Sequence, residues 1–283
     1  MNRTFDIISS DGLTLRGRCW PTEKPCKAVV CLAHGQGEHI GRYDHVAAAF
    51  NQAGITLLGT DLRGHGNSDG KRGHVPTFGT LLDDLFQTLE KARAAFPSKP
   101  LFLYGHSLGG LIVLDYVLKR NPKLDGIIVS APLLKLASEP PAWKLWILKL
   151  CSRLRLNPSI PNGVDDQLLS HDINVARIYR NDPLTHHHIT PSLASGMFDA
   201  GQWCMDHASE LSLPALFIHG AADGITSAAA TQAFASQVSS NCTLEILPGL
   251  FHEPHNEPEK ESVLKCVMDW ILQTASILNE RTE

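Results

Sequence analysis

Apolar and polar positions follow two rhythms along the chain. Thr4 to Ser9 and Leu13 to Cys19 alternate, and Ser10-Asp11-Gly12 joins them, which predicts a β-hairpin. Ala28–Ala33, Ile55–Thr60, Leu101–Tyr104, Gly126–Ser130, Pro214–His219 and Thr243–Leu247 are short apolar runs of the kind that form buried strands. Longer stretches with helical spacing lie between them. These are Gly41 to Ala53, closed by Gly54, then Thr77 to Phe96, and Leu111 to Arg120, stopped by Asn121-Pro122. Thr226 to Val238 and Lys260 to Leu278 complete the set. Eight strands with helices alternating from the third onward predict an α/β fold. Its sheet is mostly parallel, covered on both faces, with a hairpin at its start.

The alternation stops between Ala131 and about Ser195. Prolines stand at 132, 140, 141, 158, 161, 183 and 191, and no alternating strand is visible. Within this stretch Trp143 to Leu156 reads as a helix that is apolar around most of its circumference and carries only basic charges. A helix that apolar is expected to be buried; the alternatives are that it lines a ligand channel or rests on a membrane surface. The stretch has no strand core of its own. It reads as a helical cap over the sheet's C-terminal edge. Residues 1–131 and 196–283 then form the core, with 132–195 as a cap inserted in the same domain.

Composition narrows the class. The 283 residues are 43% hydrophobic and 19% charged, as in soluble globular proteins. A formal charge of −4 gives no reason to expect nucleic acid as a partner. The first residues carry neither a basic nor an apolar leader segment, and no apolar run reaches about 18 residues. The seven cysteines are irregularly spaced without a C-x-x-C, which suggests reduced thiols and a cytoplasmic setting. Cys31, Cys151 and Cys266 lie in apolar stretches and are expected in the core.

The chemistry centres on Gly105-His106-Ser107-Leu108-Gly109, a G-x-S-x-G between a strand and a helix. Such a turn lifts the serine hydroxyl clear of the sheet and needs small residues two positions to either side. The N–H of Leu108 then points where an oxyanion would form. A second donor is expected at the end of the third strand, in His34-Gly35-Gln36-Gly37, and is assigned to the backbone N–H of Gln36. In an open α/β sheet chemistry collects beyond the carboxyl ends of the strands. Ser107, Asp223 and His252 meet that condition in the order nucleophile, acid, base. His255 competes with His252 as base and is expected near the pocket. His65, between glycines in a tight loop, is read as fixing that loop. No metal site is expected: Pro254 breaks the helix that His252-Glu253-Pro254-His255 would need, and His186-His187-His188 reads as a surface loop.

The chain resembles the monoacylglycerol lipase group of serine α/β-hydrolases over almost its whole length. The resemblance rests on HGQGEHIGRY (34–43), DLRGHGNSDGKRGHV (61–75), GHSLGG (105–110), HGAADGITS (219–227) and GLFHEPHNEPEK (249–260), with YRNDPLTHHHIT (179–190) in the cap. It implies a hydrolase that needs no cofactor and cleaves single-chain esters, with Ser107, Asp223 and His252 as triad and Gln36 and Leu108 as oxyanion donors. It further implies Glu38, Arg42 and His255 near the glycerol head group, and a cap that forms the acyl tunnel and docks on membranes. Glu38 and Arg42 could equally pair with each other to stiffen the oxyanion loop. A lysophospholipase, a short- or medium-chain carboxylesterase, and a non-catalytic ligand-binding protein on the same scaffold are the alternatives.

Overall fold

The computed structural model describes residues 3–238 and 241–280. The hairpin forms from β1 (Arg3–Ile8) and β2 (Thr14–Trp20). Then come β3 (Ala28–Ala33), α1 (Asp44–Gln52), β4 (Ile55–Thr60), α2 (Gly79–Ala95), β5 (Leu101–His106), α3 (Leu108–Arg120) and β6 (Gly126–Ser130). The chain then leaves the sheet for α4 (Ala142–Arg153), α5 (Ile173–Asn181) and α6 (Pro191–Asp206). It returns through β7 (Ala215–Gly220), α7 (Ala228–Ala235), β8 (Cys242–Leu247) and α8 (Lys260–Glu280).

The eight strands order as β1-β2-β4-β3-β5-β6-β7-β8. Only β1/β2 and β2/β4 pair antiparallel; the rest of the sheet is parallel. Every residue of β3, β4, β5, β6 and β7 is buried, as continuous apolar runs require. Alternate residues feed two cores. Val29, Cys31 and Ala33 of β3 pack with α2, α3 and α6, while Ala28, Val30 and Leu32 pack with α1 and α8. Strand ends therefore converge on one edge, where the loops after β3, β5, β7 and β8 meet.

Element boundaries differ from expectation in instructive ways. The helix expected from Gly41 opens as a 3-10 turn, Ile40–Tyr43, before α1. Helix α3 starts at Leu108, directly after the serine, rather than at Leu111. Helix α7 starts late because the Ser227 side chain caps the N–H of Ala230, which leaves Thr226 extended. The expectation of a buried helix over 143–156 is corrected. α4 has no buried residue, and Trp143, Trp146, Ile147 and Leu150 are exposed. It rests chiefly on α6, and α6 in turn packs on α3. Cys31 is buried, but Cys151 and Cys266 are only half-buried, because α4 and α8 turn those flanks outward. Among the described residues no helix is long and apolar enough to cross a membrane.

Candidate active site

Ser107 sits at φ 53°, ψ −116°, a conformation side chains rarely adopt. The glycines around it make this turn possible. A Cβ on Gly105 would land on the Gly109 backbone, and one on Gly109 would land on the Ala33 carbonyl. The bent chain is pinned by Ser107 N–H donating to Ser130 O (2.9 Å) and by Leu133 N–H donating to Ser107 O (3.0 Å).

The loops after β7 and β8 bring the two other expected residues to this turn. Ser107 Oγ lies 3.0 Å from His252 Nε2, and His252 Nδ1 donates to Asp223 Oδ2 at 2.8 Å. Asp223 also accepts from the N–H groups of Ile225 and Thr226 (2.7 and 3.0 Å), from Thr226 Oγ1 (2.8 Å) and from His219 Nε2 (3.0 Å). Burial would raise its pKa, but the facing His252 and these donors outweigh it, and the carboxyl is held well below its usual range. Burial likewise opposes a charged His252, yet the Asp223 carboxylate wins and raises the imidazole above its ordinary value. A hydroxyl, an imidazole and a carboxylate so aligned can carry out nucleophilic acyl transfer.

The expected oxyanion donors flank the serine. Leu108 opens α3, so its N–H has no carbonyl partner in the helix. The N–H of Gln36 shares a trans peptide with the Gly35 carbonyl, so the two point in opposite directions. That carbonyl accepts from His34 Nδ1 (2.8 Å), while His34 Nε2 accepts the N–H of Leu62 (2.8 Å). The second contact leaves the proton on Nδ1, and burial lowers the His34 pKa, keeping the ring neutral. Gly35 lies against the serine: a Cβ there would come within 3.3 Å of Ser107 Cβ.

Glu38, Arg42 and His255 do come together near the serine, but none of them lines the cavity that opens from Ser107. Glu38 Oε1 accepts from Gly35 N–H (2.6 Å) and Tyr43 Oη (2.8 Å), and Oε2 accepts from Arg42 (2.6 Å). Arg42 reaches on to both oxygens of Glu253 (2.6 and 2.7 Å). Despite burial, Arg42 holds both carboxyls down to about 2. His255 is fully buried, stacked on Tyr43 and set edge-on to His106, and its ring nitrogens bond no protein group.

His65 fixes its loop as expected, with Nδ1 on the Arg63 carbonyl (2.9 Å) and Nε2 on Gln36 Oε1 (3.2 Å). The surface reading of His186-His187-His188 is corrected in part: His186 is buried against His65, and only His188 is exposed. His186 N–H and Tyr179 Oη both donate to the Gly37 carbonyl (2.9 Å each), tying α5 and the segment after it to the loop after β3. Four participants went unnoticed in the sequence: Glu253, His219, Thr226 and Glu257. Glu257 is fully buried and accepts from Phe251 N–H (2.6 Å) and His171 N–H (2.8 Å), which clamps the His252 loop to the segment before α5. All four lie inside segments that carry the resemblance, but nothing in their spacing announces a partner.

A cavity of about 580 Å³ opens from Ser107 and Gln36. Leu134, Ile147, Leu148, Ile189 and Met197 help to line it, so α4 covers it on one side. Cavities of this size and character take small apolar ligands.

A profile of the family described as serine aminopeptidase, S33 matches residues 24–259. The chain is 33% identical over 256 residues to the monoacylglycerol lipase of Mycolicibacterium smegmatis, covering 89% of this chain and 91% of that one. It is 37% identical over 270 residues to an uncharacterized abhydrolase domain-containing protein of Dictyostelium discoideum, but spans only 28% of that protein's length. The crystal structure of the Paleococcus ferrophilus monoacylglycerol lipase superposes with a TM-score of 0.85 at 30% identity, covering 92% of this chain and 99% of that one. With its sheet order, its serine turn and these matches, the chain has the α/β-hydrolase fold and belongs to the serine aminopeptidase S33 family.

Proposed function

We propose that the chain is a carboxylic ester hydrolase that cleaves monoacylglycerols to glycerol and fatty acid through an acyl-enzyme. The observation that carries this reading is the 3.0 Å contact between Ser107 Oγ and His252 Nε2 on the wall of an apolar cavity. The similarity to two monoacylglycerol lipases supports the substrate class. His252 takes the Ser107 proton as Oγ attacks the ester carbonyl, and Asp223 stabilises the imidazolium. The N–H groups of Gln36 and Leu108 receive the oxyanion. Loss of one such donor would cost roughly a hundredfold to a thousandfold in rate. His252 then protonates the departing glycerol, and water repeats the cycle on the acyl-enzyme. The acyl chain lies in the cavity under α4. Glu38 and Arg42 have their bonding satisfied by protein groups, which favours a stiffening role. His255, fully buried off the cavity between Tyr43 and His106, fits a supporting role better than direct contact with glycerol.

Residues 132–195 form the cap in this reading. Its exposed Trp143, Trp146 and Leu150, set among lysines and arginines, contact the membrane surface that supplies the substrate. The free thiols fit a reducing, cytoplasmic setting. The test is fatty-acid release from monoacylglycerols of increasing acyl length, beside a lysophospholipid, a diacylglycerol and a short p-nitrophenyl ester. Medium or long monoacylglycerols are expected to be preferred, and Ser107→Ala is expected to abolish turnover. Activity confined to the short ester would overturn the lipase assignment, and undiminished turnover in Ser107→Ala would overturn the nucleophile.

A further inference from the structure

Asp223 is shared between two histidines. His252 approaches Oδ2 from the serine side at 2.8 Å, and His219, near the C-terminal end of strand β7, approaches the same oxygen at 3.0 Å. Both rings are buried, His219 completely. A carboxylate oxygen only accepts, so His219 Nε2 carries a proton and donates. The other ring nitrogen, Nδ1, meets Thr231 Oγ1 at 2.8 Å, and this contact anchors the ring to α7. Thr226 completes the arrangement, with Oγ1 at 2.8 Å from Oδ2 and 3.3 Å from each of the two imidazoles. The histidine–aspartate–histidine row is thus built into the fold and is more than the triad geometry requires.

We infer that His219 and Thr226 are positioning residues that aim Asp223 at His252 and share its negative charge. This rests on the assignment of Asp223 and His252 as acid and base. Two extra donors on Oδ2 hold the carboxylate in one rotamer, and they draw off part of the charge that would otherwise stabilise the His252 imidazolium. The other groups acting on His252 are the His106 ring, 4.9 Å away, and the carboxylates of Glu253 and Glu38; none of them touches Asp223 Oδ2. Removing the His219 donor frees Asp223 to wander and leaves its full charge on His252 whenever the two meet.

The experiment compares His219→Phe with His219→Gln, whose amide nitrogen falls near the position of Nε2 and keeps a donor. Phe is expected to lower kcat/KM about tenfold to a hundredfold, the size of one lost bond to a charged group, and to act through kcat with KM little changed. The acid limb of its pH profile is expected to move upward, and the low-field proton resonance of His252 Nδ1–H to shift. Gln is expected to restore most of the rate and the wild-type pH midpoint. Thr226→Val, which removes the second donor, is expected to give a smaller loss of the same kind, and it serves if the Phe variant does not fold. Equal losses in Phe and Gln that track melting temperature, with an unmoved pH midpoint, would reduce His219 to a packing residue. Full activity in all three variants would overturn the inference as well. Asp223→Asn measured alongside separates the two levels: if it retains activity the triad assignment itself fails.

Discussion

A side chain at φ 53° is held there by its surroundings, and Ser107 has little room to escape. Its N–H is bound to Ser130, its carbonyl takes Leu111 and Leu133, and both neighbouring glycines are in backbone contact. The strain of such a residue is of the order of 1–3 kcal/mol, tolerated because it presents the hydroxyl. Ser107→Gly should therefore be more stable than Ser107→Ala by about 1 kcal/mol once glycine's own entropic cost is set against the strain. Thermal denaturation of the two inactive variants measures this, and a less stable glycine variant would remove the strain. Titration acts at the same scale. The base must be neutral, and the Asp223 carboxylate raises the His252 pKa above the ordinary 6.5 despite burial. The rate should fall as the solution is acidified, with its midpoint above 6.5 rather than below. A pH profile of kcat/KM on a neutral ester reads this directly, and a midpoint below 6.5 would mean that burial wins over Asp223.

Elements meet at this site through one guanidinium. Arg42, in the turn before α1, links Glu38 beside the oxyanion peptide to Glu253 beside His252. Replacing it with methionine would leave two buried carboxylates unpaired, at a cost of about 3–5 kcal/mol. The same link sets an acid limit. Glu38 and Glu253 ionise at about 2 in the fold against an ordinary 4.5. A carboxyl held lower in the fold than in the open chain adds stability that is complete above 4.5 and is lost as pH falls toward 2. The melting temperature should drop across that window, and Glu253→Gln should shrink the drop; an unchanged slope would mean that Glu253 does not ionise with the fold. The link could not be found from the sequence, because Arg42 and Glu253 lie 211 positions apart and neither occupies a patterned position. The strands, the serine turn and the order Ser107, Asp223, His252 were legible, because alternation, glycine spacing and strand ends are local signals. The burial of α4 was not. A helix apolar all round looks the same on paper whether it faces a core, a ligand or a lipid.

At the scale of the molecule, the two sides of α4 do different work. One side helps to close the cavity beside Ser107 with Ile147 and Leu148, and the other leaves Trp146 and Leu150 in water. The helix contains Lys144, Lys149 and Arg153 and no acidic residue. Apolar side chains flanked by cations suit the boundary of an anionic bilayer, where each basic residue adds about 1 kcal/mol and each buried large side chain about 1.5–3 kcal/mol. The cap is fixed elsewhere: Tyr179 and His186 hold the Gly37 carbonyl, and Glu257 holds Ser170 and His171. Docking through α4 would therefore place the cavity over the lipid without disturbing the oxyanion loop. The double variant Trp146→Ser, Leu150→Ser should lose at least tenfold in binding to vesicles of phosphatidylglycerol and phosphatidylcholine, and high salt should weaken the wild type in the same direction. Hydrolysis of a short soluble ester should stay at the wild-type rate, since neither side chain lines the cavity. If vesicle binding survives both changes, some other surface meets the membrane; if the soluble rate falls with it, α4 is held in place by the very side chains assigned to the lipid.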